Sequence, residues 1–363
     1  MRIGLRRIPA LRQLIVQNAD SGQRLDRYLG RYFCDAPKSF VYRMLRKKNI
    51  VLNGRKASGD EVLSDGDEIR LWLAEDTIAK FTAKTMDQAN VPETGGYPVT
   101  DLDILYEDEH VILINKPAGM LSQKASPEDV SLCEYLIGYL ISSGKMKPEQ
   151  LRTVRPSVCN RLDRNTSGIV CCGKTIAGLA ALSELFRSRD VHKYYLAVVM
   201  GRIDREERLE GFLLKDERAN KARILGTAKS SARGQILRRE GVRAQDQEDA
   251  KHVCTIVRPL HPVDIHGRSA TLIEAQLITG RSHQIRSQLA ARGHVLVGDV
   301  KYAAENEKTF FIKKAGQKVQ LLHCTKMVFP DLTGVLAPLG GKTILAQPPE
   351  RFCRLAGIPY DNK

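Results

Sequence analysis

Leu25, Tyr28, Leu29, Tyr32 and Phe33 recur in RLDRYLGRYF at the steps of one helical face. KSFVYRMLRKK repeats the pattern, with Phe40, Val41, Met44 and Leu45 inward and Ser39 placed to cap the helix. The period then changes. IVLNGRKA reads as a strand entering an Asn-Gly turn, the strongest short-range hairpin signal, and LSDGDEIRLWL as a second tight turn and strand. Together these elements predict a small unit over residues 22–80, preceded by an N-terminal extension, 1–21. The stretch from about 75 to 100 is polar, holds Pro92, Gly95, Gly96 and Pro98, and keeps no period. Its main part, 81–100, reads as a linker.

From 101 to 360 strand-sized and helical runs alternate. ILYEDEHVILINKPAGM predicts two strands about a short turn, then a Lys-Pro turn. SLCEYLIGYLISSG is a helix with Leu132, Leu136 and either Tyr139 or Leu140 inward; GIVCCGKT is a buried strand and TIAGLAALSELFRSR a helix. KYYLAVVMGRI and ATLIEAQLITG are strands, and HQIRSQLAARG is a short helix stopped at Gly293. The expected class is α+β, a mixed, mainly antiparallel sheet flanked by helices and loops. Residues 204–251, rich in Arg, Lys, Glu and Gln, lack helical periodicity and read as a solvated surface segment, with a further RNA contact as the alternative.

Composition narrows the partners. The chain has 363 residues, enough for two domains, and a formal net charge of +15, which favours a polyanion, nucleic acid foremost. Arg43, Arg46, Lys47 and Lys48 crowd the exposed face and end of the second helix, with Arg55 and Lys56 just past the hairpin turn. Apolar runs are strand-sized, too short for a membrane span, and the basic N-terminus lacks the apolar core of a secretory leader. The eight cysteines form no CxxC pair and complete no zinc template. They read as buried thiols in a reducing cytoplasm, with no metal expected. Neither GxGxxG nor a P-loop is present, so no nucleotide cofactor is expected.

Candidate chemistry lies where charges adjoin apolar strands. NRLDRNTSGIV sets Asp163 between Arg161 and Arg164; VHKYYLAVV carries Lys193, Tyr194 and Tyr195; LITGRSHQIRSQLAARGHVLVGDVKY carries Arg281 and Arg286 at a helix N-terminus. Singly, each has an ordinary explanation: a salt bridge, a core aromatic, a helix cation. Together with ILYEDEHVILINKPAGM, in this order and spacing, they resemble the RluA family of RNA pseudouridine synthases. The N-terminal unit, over about 22–73, resembles the αL RNA-binding motif of the ribosomal-protein-S-four type, with Arg43, Arg46, Lys47, Lys48, Asn53 and Lys56 at the matching RNA-contacting positions.

The resemblance implies the pseudouridine synthase fold and an isomerase without cofactor or metal. It implies structured RNA as substrate, large-subunit rRNA first and tRNA as the alternative. Asp163 takes the place of the catalytic aspartate, Tyr195 of the tyrosine that stacks on the base, and Arg286 of the arginine that pairs with the aspartate. Arg161, Arg164, Arg281 and His283 are expected to hold the substrate. Asn160 departs from the pattern, standing where many members have histidine. The chemistry suits a carboxylate, which can attack carbon or take a ribose proton. A stacked uridine must also be flipped out, and an aromatic face can hold it. Two competing readings are a non-catalytic RNA-binding assembly factor and a hydrolase that removes the base. A cytoplasmic monomer is expected.

Overall fold

The structure is a computed structural model that describes residues 11–82, 96–216, 221–226 and 249–361. The two N-terminal stripes fold as α1 (Leu25–Tyr32) and α2 (Lys38–Arg46). Every residue assigned inward on them is buried, sharing a core with Ile50, Ile69 and Leu71. Ser39 is not the cap of α2. The Phe40 amide bonds to the Pro37 carbonyl, so the helix closes on Pro37 and Ser39 already lies inside the first turn.

Against these helices lies an antiparallel sheet of β1 (Leu11–Ile15), β2 (Ile50–Leu52), β3 (Arg55–Lys56) and β4 (Glu68–Trp72), in the order β1-β4-β2-β3. Asn53 and Gly54 turn between β2 and β3 with φ of 50° and 71°, the left-handed pair that an Asn-Gly hairpin turn requires. Residues ahead of 22 thus supply an edge strand. It alternates only between exposed and half-buried positions, so it carries no apolar signal. A third helix, α3 (Glu75–Thr82), opens the polar stretch and packs Phe81 against Phe40, ring centroids 4.5 Å apart. Most of the segment read as a linker, 83–95, lies outside the described residues.

The larger sheet is mixed and mainly antiparallel, as its alternating runs predict. Its strands are β5 (Ile104–Glu107), β6 (Val111–Lys116), β7 (Ser157–Val158), β8 (Ser167–Gly173), β9 (His192–Met200), β10 (Glu207–Asp216) and β11 (Lys221–Leu225). β12 (Lys251–Ile265), β13 (Arg268–Leu277), β14 (Leu322–Val328) and β15 (Thr343–Leu345) complete it. The order is β11-β10-β12-β13-β9-β14-β8-β6-β5, with β15 on β14 and β7 on β8. Helices α4 (Leu132–Ser142) and α5 (Ile176–Ser188) bury Leu132, Leu136, Leu140, Leu182 and Leu185 in the same core as the IVCC run of β8. Among the described residues, the remaining α-helices are α6 (Gln284–Ala291), α7 (Glu305–Lys313) and α8 (Glu350–Ala356).

The charge-rich segment is not simply a solvated loop. It contributes β10 and β11, which bury Leu209, Phe212, Leu213 and Leu225. Their apolar positions are few and interleaved with charge, which hides the strands; residues 217–220 and 227–248 lie outside the described residues.

β14 and β8 form a parallel pair in the sheet, His323 beside Ser167 and Cys324 beside Gly168. Gly168 has φ +115°, and a Cβ there would sit 2.3 Å from the Cys324 carbonyl oxygen. Only glycine lets the strand start at this point, directly behind the Asp163 loop.

The two units meet through a short turn, Asn18–Asp20, and one arginine. Arg31 Nη1 donates to the Thr153 carbonyl at 2.8 Å and to Gln23 Oε1 at 3.0 Å. Buried Asp20 receives the Thr153 side chain, and Ala19 packs on the larger core.

Candidate active site

Asp163 sits on the connection from β7 to β8, a quarter exposed, and that connection is stitched down on both sides. The Thr166 amide closes a turn on the Asp163 carbonyl at 3.0 Å. Ser122 Oγ donates to the Leu162 carbonyl at 2.9 Å and accepts from the Leu162 amide at 3.1 Å. The Gly119 amide holds the Arg164 carbonyl at 2.8 Å. Asn160 holds the other end: its Oδ1 accepts from the Cys171 amide at 2.7 Å, and its Nδ2 donates to the Ile169 carbonyl at 3.3 Å. The side chain that departs from the family pattern spends both its amide functions on β8.

Lys116 ends the apolar strand β6 and is fully buried. Its ammonium donates to the carbonyls of Met120, Pro117 and Arg164 at 2.8, 2.9 and 3.2 Å. Burial pulls this amine down to about 8, opposed by nearby Asp163. An unfolded lysine keeps its ordinary value of 10.5, so between about 8 and 10.5 the unfolded chain binds more protons. Lys116 therefore makes the protein more stable as pH rises through that window, by roughly 3 kcal/mol. Lys116→Met should flatten this rise, read as the difference in unfolding free energy between the two chains across the window. An unchanged slope would mean that burial does not lower the Lys116 amine below its value in the unfolded chain.

Arg286 lies on α6, buried, 123 residues beyond Asp163. Its Nη1 donates to Asp163 Oδ2 at 2.8 Å. Its Nε and Nη2 grip the two oxygens of Asp299 at 2.7 and 2.9 Å, the planar fork a guanidinium offers. Asp299 is 1% exposed, and its Oδ1 also accepts from the amides of Lys301 and Tyr302. Burial works against the Arg286 charge, but the two carboxylates outweigh it and hold the guanidinium above its ordinary value. The Tyr302 ring lies 5.2 Å from the guanidinium carbon. The aspartate of the loop is thus held by an arginine that a buried second aspartate holds in turn.

His283, just before α6, places Nε2 3.8 Å from Asp163 Oδ2 and Nδ1 2.9 Å from the Tyr302 hydroxyl. Tyr195, on β9 between Ala275 and Cys324, is 6% exposed, and its hydroxyl meets the Cys324 thiol. Burial pushes that phenol well above its ordinary value, with Cys324 and Asp163 adding to the shift. Lys193, two residues earlier, is pulled down by burial.

Arg161, Arg164 and Arg281 are exposed; Arg164 stands 3.6 Å from Asp129. A cleft of about 490 Å³ borders the loop through Lys116, Pro117, Met120 and Ser167, with Asp163 outside its lining. On the N-terminal unit, Arg43, Arg46, Lys47, Lys48 and Lys56 are all exposed. Asn53 differs from them. Its amide is occupied, donating to Asp67 Oδ1 and accepting from the Glu68 amide, both at 2.8 Å.

Sequence reasoning missed Asp299, Tyr302, Lys116 and Ser122. A signal existed for two of them: Asp299 follows an apolar run and a glycine in VLVGD, and Lys116 ends the run VILINK. Among the described residues, no three of His, Cys, Asp and Glu come together as metal ligands. No described helix is long and apolar enough to cross a membrane.

A family model described as RNA pseudouridylate synthase matches residues 110–291, a span holding Asp163, Tyr195 and Arg286. Ribosomal large subunit pseudouridine synthase C of Vibrio vulnificus (strain CMCP6) is 30% identical over 291 residues, 78% of this chain and 77% of its own. Ribosomal large subunit pseudouridine synthase D of Xanthomonas campestris pv. campestris is 26% identical over 347 residues, 94% of this chain and 89% of its own. A solved structure of human RNA pseudouridylate synthase domain containing 4 shares the fold, with a TM-score of 0.52 and 20% identity over 71% of this chain and 94% of its own. Matched along most of its length, the chain belongs to the RluA family of RNA pseudouridine synthases and is an isomerase that acts on RNA.

Proposed function

We propose that this protein converts uridine to pseudouridine in large-subunit ribosomal RNA, with Asp163 as the reacting carboxylate. One observation carries the assignment of the residue: Asp163 is the solvent-reachable end of a chain of charges, Asp299 to Arg286 to Asp163, whose other end is buried. Such a chain orients one carboxylate while leaving it open to a nucleotide. The ribosomal substrate follows from the relatives, two of which are large-subunit enzymes by name.

In the reaction the C1′–N1 bond breaks, the base turns, and C1′ bonds to C5. The proton lost from C5 is matched by one gained at N1. Asp163 supplies the nucleophile or base for the first of these events. The uridine would be flipped from its stack at a cost of a few kcal/mol. Tyr195, buried on β9 and electrostatically coupled to Asp163, is the aromatic floor for the flipped base. Arg161, Arg164 and Arg281 are exposed cations suited to flanking phosphates.

The N-terminal unit, 22–80, acts as an RNA-binding domain of the S-four type beside the catalytic domain, 101–360. Its exposed α2 cations would supply affinity by releasing counterions, without reading sequence. The Asn53 side chain, held by Asp67 and Glu68, shapes the turn that leads into Arg55 and Lys56. Mapping pseudouridine across total RNA from cells with and without this protein tests the proposal. Loss at one or a few uridines of large-subunit rRNA is the expected result. Losses confined to tRNA would overturn the substrate, and free uracil as product would overturn the reaction.

A further inference from the structure

Tyr302 takes no part in the chemistry above, yet its hydroxyl is held from two sides. The backbone amide of Ala222, on β11, lies 2.8 Å away, and His283 Nδ1 lies 2.9 Å away. An amide N–H can only donate, so the phenol oxygen accepts there, which leaves its proton free to be donated to Nδ1. A neutral imidazole that accepts at Nδ1 carries its own hydrogen on Nε2. That nitrogen is the one 3.8 Å from Asp163 Oδ2.

Two further features support the arrangement. His283 sits at φ 58°, ψ 16°, a left-handed conformation that costs a non-glycine residue roughly 1–2 kcal/mol. The backbone is held in a form that aims the ring between Tyr302 and Asp163, the two rings edge to face at 5.7 Å. Burial also keeps the imidazole below its ordinary value, which favours the neutral ring; Asp163 opposes this, while Arg286 and Lys301 reinforce it.

We propose that Tyr302 is a positioning residue that locks His283 as its Nε2–H tautomer, so that a hydrogen-bond donor faces the reacting carboxylate and the carbonyl of a base placed beside it. The functional half rests on the reading of Asp163 as the reacting group; the tautomer does not. Because Ala222 belongs to β11, the edge hairpin of the charge-rich segment becomes part of the support of the site. A histidine held by a second partner in one tautomer is a general device for presenting the other nitrogen.

The test is nitrogen NMR on the full chain labelled with 15N-histidine, which has eight histidines. The His283 signals are identified by their loss in His283→Gln. Expected in the wild type is a neutral ring protonated at Nε2, and in Tyr302→Phe a shift toward mixed or Nδ1-protonated forms. The same variant should lose roughly tenfold in kcat with KM little changed, the effect of one hydrogen bond. A wild-type ring protonated at Nδ1, or a His283 signal unmoved in Tyr302→Phe, would overturn the proposal. The wild-type spectrum decides the tautomer even if the variant fails to fold. It also needs no turnover, so an active Asp163→Asn enzyme would sink the catalytic reading while leaving the tautomer standing.

Discussion

Asp163→Asn should bind RNA within about twofold of wild type and lose pseudouridine formation by roughly three orders of magnitude or more. The substitution keeps the shape of the side chain and an oxygen for Arg286 Nη1, now 2.8 Å from Oδ2. It removes the charge, and with it any capacity to attack carbon or accept a proton. Arg286 keeps both bonds to Asp299, so the site should hold its form. Loop contacts made by Asn160, Leu162 and Arg164 are untouched. Binding by fluorescence anisotropy and turnover by tritium release from C5-labelled RNA separate the two effects. Turnover within tenfold of wild type would remove Asp163 from the chemistry.

Asp299→Ala should be the most damaging change for stability. It strands the buried Arg286 guanidinium without its two-pronged partner and leaves the Lys301 and Tyr302 amides without an acceptor. Removing one member of a buried pair costs roughly 3–5 kcal/mol. For a chain of this size that lowers the melting temperature by roughly 10 °C. Activity should fall as well, because Arg286 would no longer be fixed against Asp163. Adding Arg286→Met to Asp299→Ala should restore part of the stability and none of the activity. Calorimetry on the three chains checks this; a single variant within about 1 kcal/mol of wild type would mean that the buried pair is not a keystone.

What could be read from sequence followed from how regular the burial is. α1 and α2 present unbroken 3.6-residue stripes, and β8 is an uninterrupted apolar run, so their type and inward residues were plain. β1 has no buried face of its own, α3 is half polar, and β10 and β11 mix charge with a few apolar anchors, so periodicity could not separate them from loop. The site divides the same way. Asp163 and Arg286 stand in motifs long enough to be recognised, whereas the roles of Asp299 and Tyr302 exist only as distances to Arg286 and His283. Asn160 was the least legible. A departure from a pattern says what has been lost, and only the fold shows that its amide spans Ile169 and Cys171.

The Arg31 clasp has a consequence for how RNA is chosen. Thr153, its acceptor, lies just ahead of β7 and Asp163 just beyond it, ten residues apart. On the proposed reading, a cationic grip on α2 and a reacting carboxylate joined through this clasp would work as a caliper. With its jaws at a set opening, this protein would select among uridines by the span from gripped helix to target, and a loop one helical turn too near or too far would pass unmodified.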